Sequence, residues 1–124
     1  MLLTTTDQID GHSVAQYLSI VTGEAVFATS VFAGVKSGIK DLMGGQTESY
    51  AKELEAAKNQ AMVEMVKEAR ILNAHAIVGI DIDYMEFLGK YFMVIMSGTA
   101  VRLAGVKDEE MPASFVMPTE KPGT

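Results

Sequence analysis

The clearest pattern along the chain is a helical repeat of apolar positions that runs directly into an alternating one. Between Thr47 and Asn73, Leu54, Ala57, Ala61, Met65, Ala69 and Leu72 recur at three- and four-residue spacing, the period of an amphipathic helix lying on a core. Thr47 is placed to cap the start, with Glu48 in the first turn and Lys52 four residues on, where the helix dipole and an i,i+4 pair both favour them. Asn73 stands where a left-handed C-cap belongs. Met62, Val63 and Val66 lie off the stripe, which predicts that the second half of the helix touches more than one apolar surface.

From His75 to Met85 the period changes to two. Val78, Ile80, Ile82 and Tyr84 share one face of a predicted strand, and Gly79, Asp81 and Asp83 share the other. Phe87-Leu88-Gly89-Lys90 reads as a turn. Tyr91 to Leu103 reads as a last strand, apolar on both sides between Phe92 and Met96, so both its faces are predicted to be dry. Gly98 marks a bulge or bend.

Upstream, Leu2 to Thr6 reads as a short strand and Asp10-Gly11 as a turn. Val14 to Val21 is the expected partner of a hairpin, with Val14, Leu18 and Ile20 on one face. Gly23-Glu24 breaks or bulges that strand. Ser30 to Met43 carries Val31, Val35, Ile39 and Leu42 at helical spacing, despite Gly34 and Gly38, and reads as a short helix ended by Gly44-Gly45.

Together these elements predict an α+β fold: a β-α-β-β two-layer domain over residues 1–105, with one long helix on a mainly antiparallel sheet. Residues 106–124 hold all three prolines and a charged start, Lys107 to Glu110, and read as a tail rather than a domain. Phe115-Val116-Met117 is the segment of that tail placed to dock on a neighbour. One helix covers only one face of a sheet, so a monomer of this pattern would leave a wide apolar area wet. Self-assembly with closed symmetry is the simplest remedy. The competing arrangement has Ser30 to Met43 covering the second face.

Composition narrows the function classes. The formal net charge is −6 and the ten Lys and Arg residues are scattered, which argues against nucleic acid and against anionic membrane as partners. The absence of cysteine excludes disulfides, thiolate metal sites and cysteine nucleophiles, and fits a cytoplasmic protein. MLLTTTDQID lacks the basic region and long apolar stretch of a signal peptide. The apolar run Ala25 to Val35 is far shorter than the ~20 residues that span a bilayer.

Four stretches carry a family resemblance: Val31-Phe32-Ala33, Gly44-Gly45 followed by Tyr50, the passage from Glu68-Ala69 through Ala76-Ile77-Val78-Gly79-Ile80-Asp81-Ile82-Asp83-Tyr84, and Gly98-Thr99-Ala100-Val101. This set resembles the YbjQ-like family of small bacterial and archaeal proteins, often given a heavy-metal-binding label. The resemblance covers most of Val14 to Leu103. It implies a subunit similar to the dodecin type and a closed, ring-like homo-pentamer. The chain departs from the family's usual pattern at Asn73, where Gly is common, and at His75, where Asn is common.

Candidate chemistry is sparse. Asp81 and Asp83 are two apart on a strand, so their side chains leave one face ~6.6 Å apart. Glu86 follows and His75 precedes. Oxygen ligands suit hard divalent cations, and imidazole suits Zn²⁺ or Ni²⁺. The ordinary reading of the same residues is a solvated polar face. Gly44, Gly45 and Thr47 precede or open a helix, whose free N–H groups could hold a phosphate or carboxylate; the ordinary reading is a loop and cap. His12 and His75 lie beside a turn and a helix end, where a histidine is ordinarily a surface or capping residue. Nine methionines read as packing rather than soft-metal ligands.

The sequence therefore points first to a non-enzymatic homo-oligomer that binds a small ligand or a partner. The second reading is a metal-binding or metal-responsive protein using a divalent ion. The third, from a different class, is an enzyme with a site between subunits.

Overall fold

The computed structural model describes residues 1–28 and 45–107, without the side chains of residues 45–50. The expected Ser30 to Met43 helix, the Glu48–Lys52 pair and the tail beyond Lys107 lie outside the described residues. Four strands and one helix follow in chain order: β1 (Leu2–Leu3), β2 (Val14–Ala28), α1 (Gly45–Ile71), β3 (Ala76–Phe87) and β4 (Tyr91–Leu103). The strands form one mixed sheet in the order β1-β3-β4-β2. The fold is α+β, with the helix packed as a second layer on one side of the sheet.

Helix α1 begins at Gly45, two residues before the expected start, so Thr47 is the third helical residue and not the cap. A glycine costs little there, because the first N–H groups of a helix have no internal partner to lose. The predicted stripe holds through Ala57, Ala61, Met65 and Ala69, which are all buried. Leu72 is 37% exposed, since the helix has already ended. Val66 is also buried, and Met62 packs on the same core. The stripe is thus wider than expected.

The end of α1 follows the expected chemistry. Asn73 adopts φ 62°. The Ala74 N–H donates to the Ala69 carbonyl at 3.1 Å and the Asn73 N–H to Arg70 at 3.0 Å, the paired bonds of a Schellman motif. The Arg102 guanidinium donates to the Asn73 carbonyl, fixing the helix end to β4.

Small residues let the helix lie close to β2. Gly23 is buried beneath Ala61 and Met65, and a methyl group in its place would overlap the Ala61 carbonyl. Val21, Ile77, Val94, Met96 and Ala100 complete this side of the sheet. A second, smaller cluster of Leu2, Ala76, Val78, Val101 and Leu103, with Val14 and Val106 against it, lies on the other side.

Three further expectations change. The Asp10-Gly11 turn exists, with Gly11 at φ 83° and the His12 N–H donating to Ile9 at 3.1 Å, but it does not close a hairpin between the first two strands. β1 pairs in parallel with β3, and β2 pairs with β4 at the far side of the sheet. Leu2 and Leu3 each enter one of the two apolar clusters, and that burial, not the local turn, chooses the partner. Next, the β2–β4 register shifts between Tyr17 and Ser19. An extra residue reverses the alternation, so Leu18 and Val21 face the helix and Ile20 is 74% exposed. The same happens on β3 between Val78 and Asp81, where Gly79 takes φ 64°. Val78 therefore faces away from the helix while Ile80 and Ile82 face it.

Candidate functional site

The Gly79 bulge decides where the acidic residues go. Beyond it, Asp81 pairs with Ser97, Asp83 with Ile95, Met85 with Met93 and Phe87 with Tyr91. On β2, Thr22 pairs with Ser97, Glu24 with Ile95, Val26 with Met93 and Ala28 with Tyr91. Side chains alternate across a strand, so these residues form rows on the face opposite α1: Asp81–Ser97–Thr22, then Asp83–Ile95–Glu24, then Met85–Met93–Val26. The face is polar at one end and apolar at the other, where Phe87 stacks on Tyr91 with ring centroids 5.4 Å apart. Met85 and Val26 are 48% and 53% exposed.

Asp81 and Asp83 do come together. The Asp83 carboxyl is raised above its ordinary acidity range, chiefly by the hydrogen bond it shares with Asp81, next by the like charge of that neighbour, and least by desolvation. The pair can share a proton or hold a cation between its oxygens. The other two candidate metal ligands are placed elsewhere. Glu86 differs in parity from Asp83 and leaves the opposite side of the sheet. His75 lies at the far end of β3, is buried, and its Nδ1 accepts the Leu103 N–H at 2.9 Å. Among the described residues, no three His, Asp or Glu side chains converge on a point that could hold a metal ion.

Of the anion-site candidates, Gly44 and the Thr47 side chain lie outside the described residues, and Gly45 opens α1. His12 lines a shallow concavity of about 540 Å³ with Asp7, Asp10, Ser13 and Tyr17.

The feature that sequence reasoning missed is made of backbone. The Thr22 N–H donates to Glu68 Oε1 at 3.1 Å, so it points away from β4. By alternation the N–H and C=O groups of Glu24, Val26 and Ala28 point the same way. On β3, the Ile80 N–H donates outward to Thr4 at 3.1 Å, so Ile82, Tyr84 and Glu86 also face out, beyond the reach of the two-residue β1. Among the described residues, the sheet therefore ends in two unpaired edges of similar length. A groove of about 550 Å³ runs along the β2 edge, lined by Thr22, Glu24, Gln60, Glu64, Lys67 and Ile71. No helix among the described residues is long and apolar enough to cross a membrane.

Against this geometry, a family model described as "Putative heavy-metal-binding", YbjQ, matches residues 1–104. The chain belongs to this family. A UPF0145 protein of Bifidobacterium longum strain DJO10A is 42% identical over 107 residues, covering 84% of this chain and 96% of that protein. A UPF0145 protein from Bifidobacterium longum subsp. infantis is 41% identical with the same coverage. A crystal structure of a DUF74-family protein of unknown function from Pediococcus pentosaceus shares the YbjQ-family fold. It superposes with a TM-score of 0.56 at 18% identity, covering 83% of this chain and 97% of that one.

Proposed function

We propose that this chain is a non-enzymatic, homo-oligomeric protein of the cytoplasm that binds a small ligand or a partner from a closed ring. One observation carries the reading: among the described residues the sheet has two different unpaired edges, β2 on one side and the outer half of β3 on the other. Exposed strand edges are templates for pairing with another chain. Joining one edge to the other edge of the next copy is head-to-tail, and such contacts close into a ring when the rotation allows it. The family resemblance favours five copies. Residues 1–105 form the ring-building domain and residues 106–124 the tail. The lack of cysteine is consistent with the cytoplasm.

Sedimentation velocity of the full-length protein at micromolar concentration tests this. A single species at a five-fold multiple of 13.4 kDa is expected. Glu24→Pro removes one outward N–H and should shift the mass downward with the far-ultraviolet circular dichroism retained. A compact 13.4 kDa particle for the unaltered protein would overturn the reading.

A second reading rests on the Asp81–Asp83 pair and the family's description: a divalent metal ion held by these two carboxylates, with further donors from neighbouring copies. Metal analysis of the purified protein against the Asp81→Asn, Asp83→Asn double variant separates it. Loss of metal in the variant supports the site, and unchanged metal content removes it.

A further inference from the structure

The two edges left unpaired among the described residues differ in the face that their outward residues serve. On β2 the outward residues are Thr22, Glu24 and Val26, whose side chains lie on the face opposite α1. On β3 they are Ile82, Tyr84 and Glu86, whose side chains lie on the α1 side, where Ile82 packs on the core. Each edge is also stopped at the same end. Glu68 Oε1 holds the Thr22 N–H, and the Thr4 carbonyl holds the Ile80 N–H, each at 3.1 Å. We propose that the β2 edge receives the β3 edge of a second copy as a parallel pair, staggered by two residues, with Thr22 opposite Asp83 of the next copy. This join presupposes the ring proposed above and gives it a strand direction, a face and a register.

Parity chooses the direction. In an antiparallel ladder outward residues stand opposite outward residues, whereas in a parallel one each stands opposite a residue whose N–H and C=O point away. Directly opposed residues share a face. An antiparallel join would therefore put Val26 and Tyr84 on one face and turn the next helix to the other side of the sheet. Repeating that half-turn makes an open ribbon, not a ring. A parallel join keeps every helix on one side. It also keeps one strand direction throughout, because β2 and β3 both run antiparallel to β4.

Charge chooses the register. Without a stagger, Glu24 would stand opposite Asp83 of the next copy, and like charges directly opposed are destabilising. A step one way would set Glu24 against Asp81. The step the other way brings Thr22 to Asp83, Glu24 to Met85 and Val26 to Phe87 of the next copy. Closing a sheet on itself requires such a step between strands. The ladder then begins where the occupied amides stop: the Tyr84 N–H donates to the Thr22 carbonyl, and the Glu24 and Val26 N–H groups donate to the Tyr84 and Glu86 carbonyls. Tyr84, 48% exposed in the single copy, enters the groove beside β2 lined by Glu64, Lys67 and Ile71, where its apolar ring and polar tip both find matching groups.

The chain has no cysteine, so a disulfide between introduced cysteines reads the register. Thr22 and Asp83 are both exposed, and replacing their side chains leaves the ladder bonds in place. Within one copy they lie two strands apart, about 9.6 Å or more, beyond the reach of a disulfide. Thr22→Cys, Asp83→Cys is oxidised mildly as assembled, full-length protein. It should run on a non-reducing denaturing gel as a ladder of multiples of 13.4 kDa, while Glu24→Cys, Asp83→Cys should stay unlinked. Links in the second pair instead would mean an unstaggered join, and links in Val26→Cys, Tyr84→Cys an antiparallel one; either result overturns the proposal, as does an unlinked first pair. Sedimentation of the same samples tells the two readings apart. An assembly of unchanged mass without the expected link removes this join and leaves the ring, whereas a monomeric parent protein removes both.

Discussion

Gly23 and Ala61 meet with no room for a methyl group between strand β2 and helix α1. A Cβ on Gly23 would overlap the Ala61 carbonyl oxygen and stand 2.8 Å from the Met65 nitrogen. Both neighbours are backbone, so the helix itself must lift. Gly23→Ala should cost ~1–3 kcal/mol or more, the range for overpacking a tight core. Gly98→Ala should cost less, because its Cβ would stand 2.6 Å from Ile77 Cγ2 and 3.2 Å from the Val78 carbonyl, a milder overlap than the one at Gly23. Urea unfolding midpoints of the two variants check the order. Equal losses would show that the helix is free to shift.

His75 and Leu103 form the second such pair. The buried imidazole accepts the Leu103 N–H, tying the start of β3 to the end of β4. His75→Ala leaves that N–H without its acceptor and should destabilise by about 1–3 kcal/mol. His75→Asn keeps a carbonyl oxygen able to accept and should lose less. Chemical denaturation of the two variants tests this; an alanine variant as stable as the asparagine one would remove the bond from the account.

The turn between β3 and β4 carries avoidable strain. Leu88 and Gly89 take φ 57° and 63°, and the Lys90 N–H donates to Phe87 at 3.2 Å, the geometry of a type I′ turn. A left-handed conformation costs a branched L-residue about 1–2 kcal/mol. Leu88 is 76% exposed and loses little packing when replaced. Leu88→Gly should raise the thermal midpoint, with a gain of ~1 kcal/mol or less after the added chain entropy. A lowered midpoint would mean that Leu88 is buried in the assembled protein.

The Asp81–Asp83 pair makes stability depend on pH. The Asp83 carboxyl holds its proton more tightly in the folded protein than in the unfolded chain. Such a group lends stability that is complete below the ordinary carboxylate range and is lost as pH rises through the raised value. Asp83→Asn should therefore be the more stable protein at neutral pH, with the difference shrinking on acidification. Urea titrations at pH 3.5, 5 and 7 give the comparison. Parallel curves for variant and parent would contradict it. A bound cation would reverse the neutral-pH order and so identify the metal reading.

Much of this was legible in the sequence because it rests on local rules. The helix stripe, the Asn73 cap and the Phe87 to Lys90 turn each depend on residues close in the chain. The partner of β1 depends on burial at distant positions, and a turn signal at Asp10-Gly11 carries no information about that. The bulge at Leu18 has no marker, whereas the one at Gly79 has a glycine that an unbroken alternation passes over. For the candidate site, the proximity of Asp81 and Asp83 follows from their spacing, and parity alone separates Glu86 from them. The burial of His75 and the two open edges were hidden, since both come from which strands lie next to which.

The central claim is that another copy occupies the β2 edge. Residue-resolved hydrogen exchange of the intact, full-length protein tests it most directly, at the outward-pointing amides of Glu24 and Val26. If a neighbouring strand pairs there, these amides exchange as slowly as those of Gly23 and Ala25, which face β4. Exchange at the rate of a solvated, unbonded amide, with Gly23 and Ala25 still protected, would show that the edge is bare.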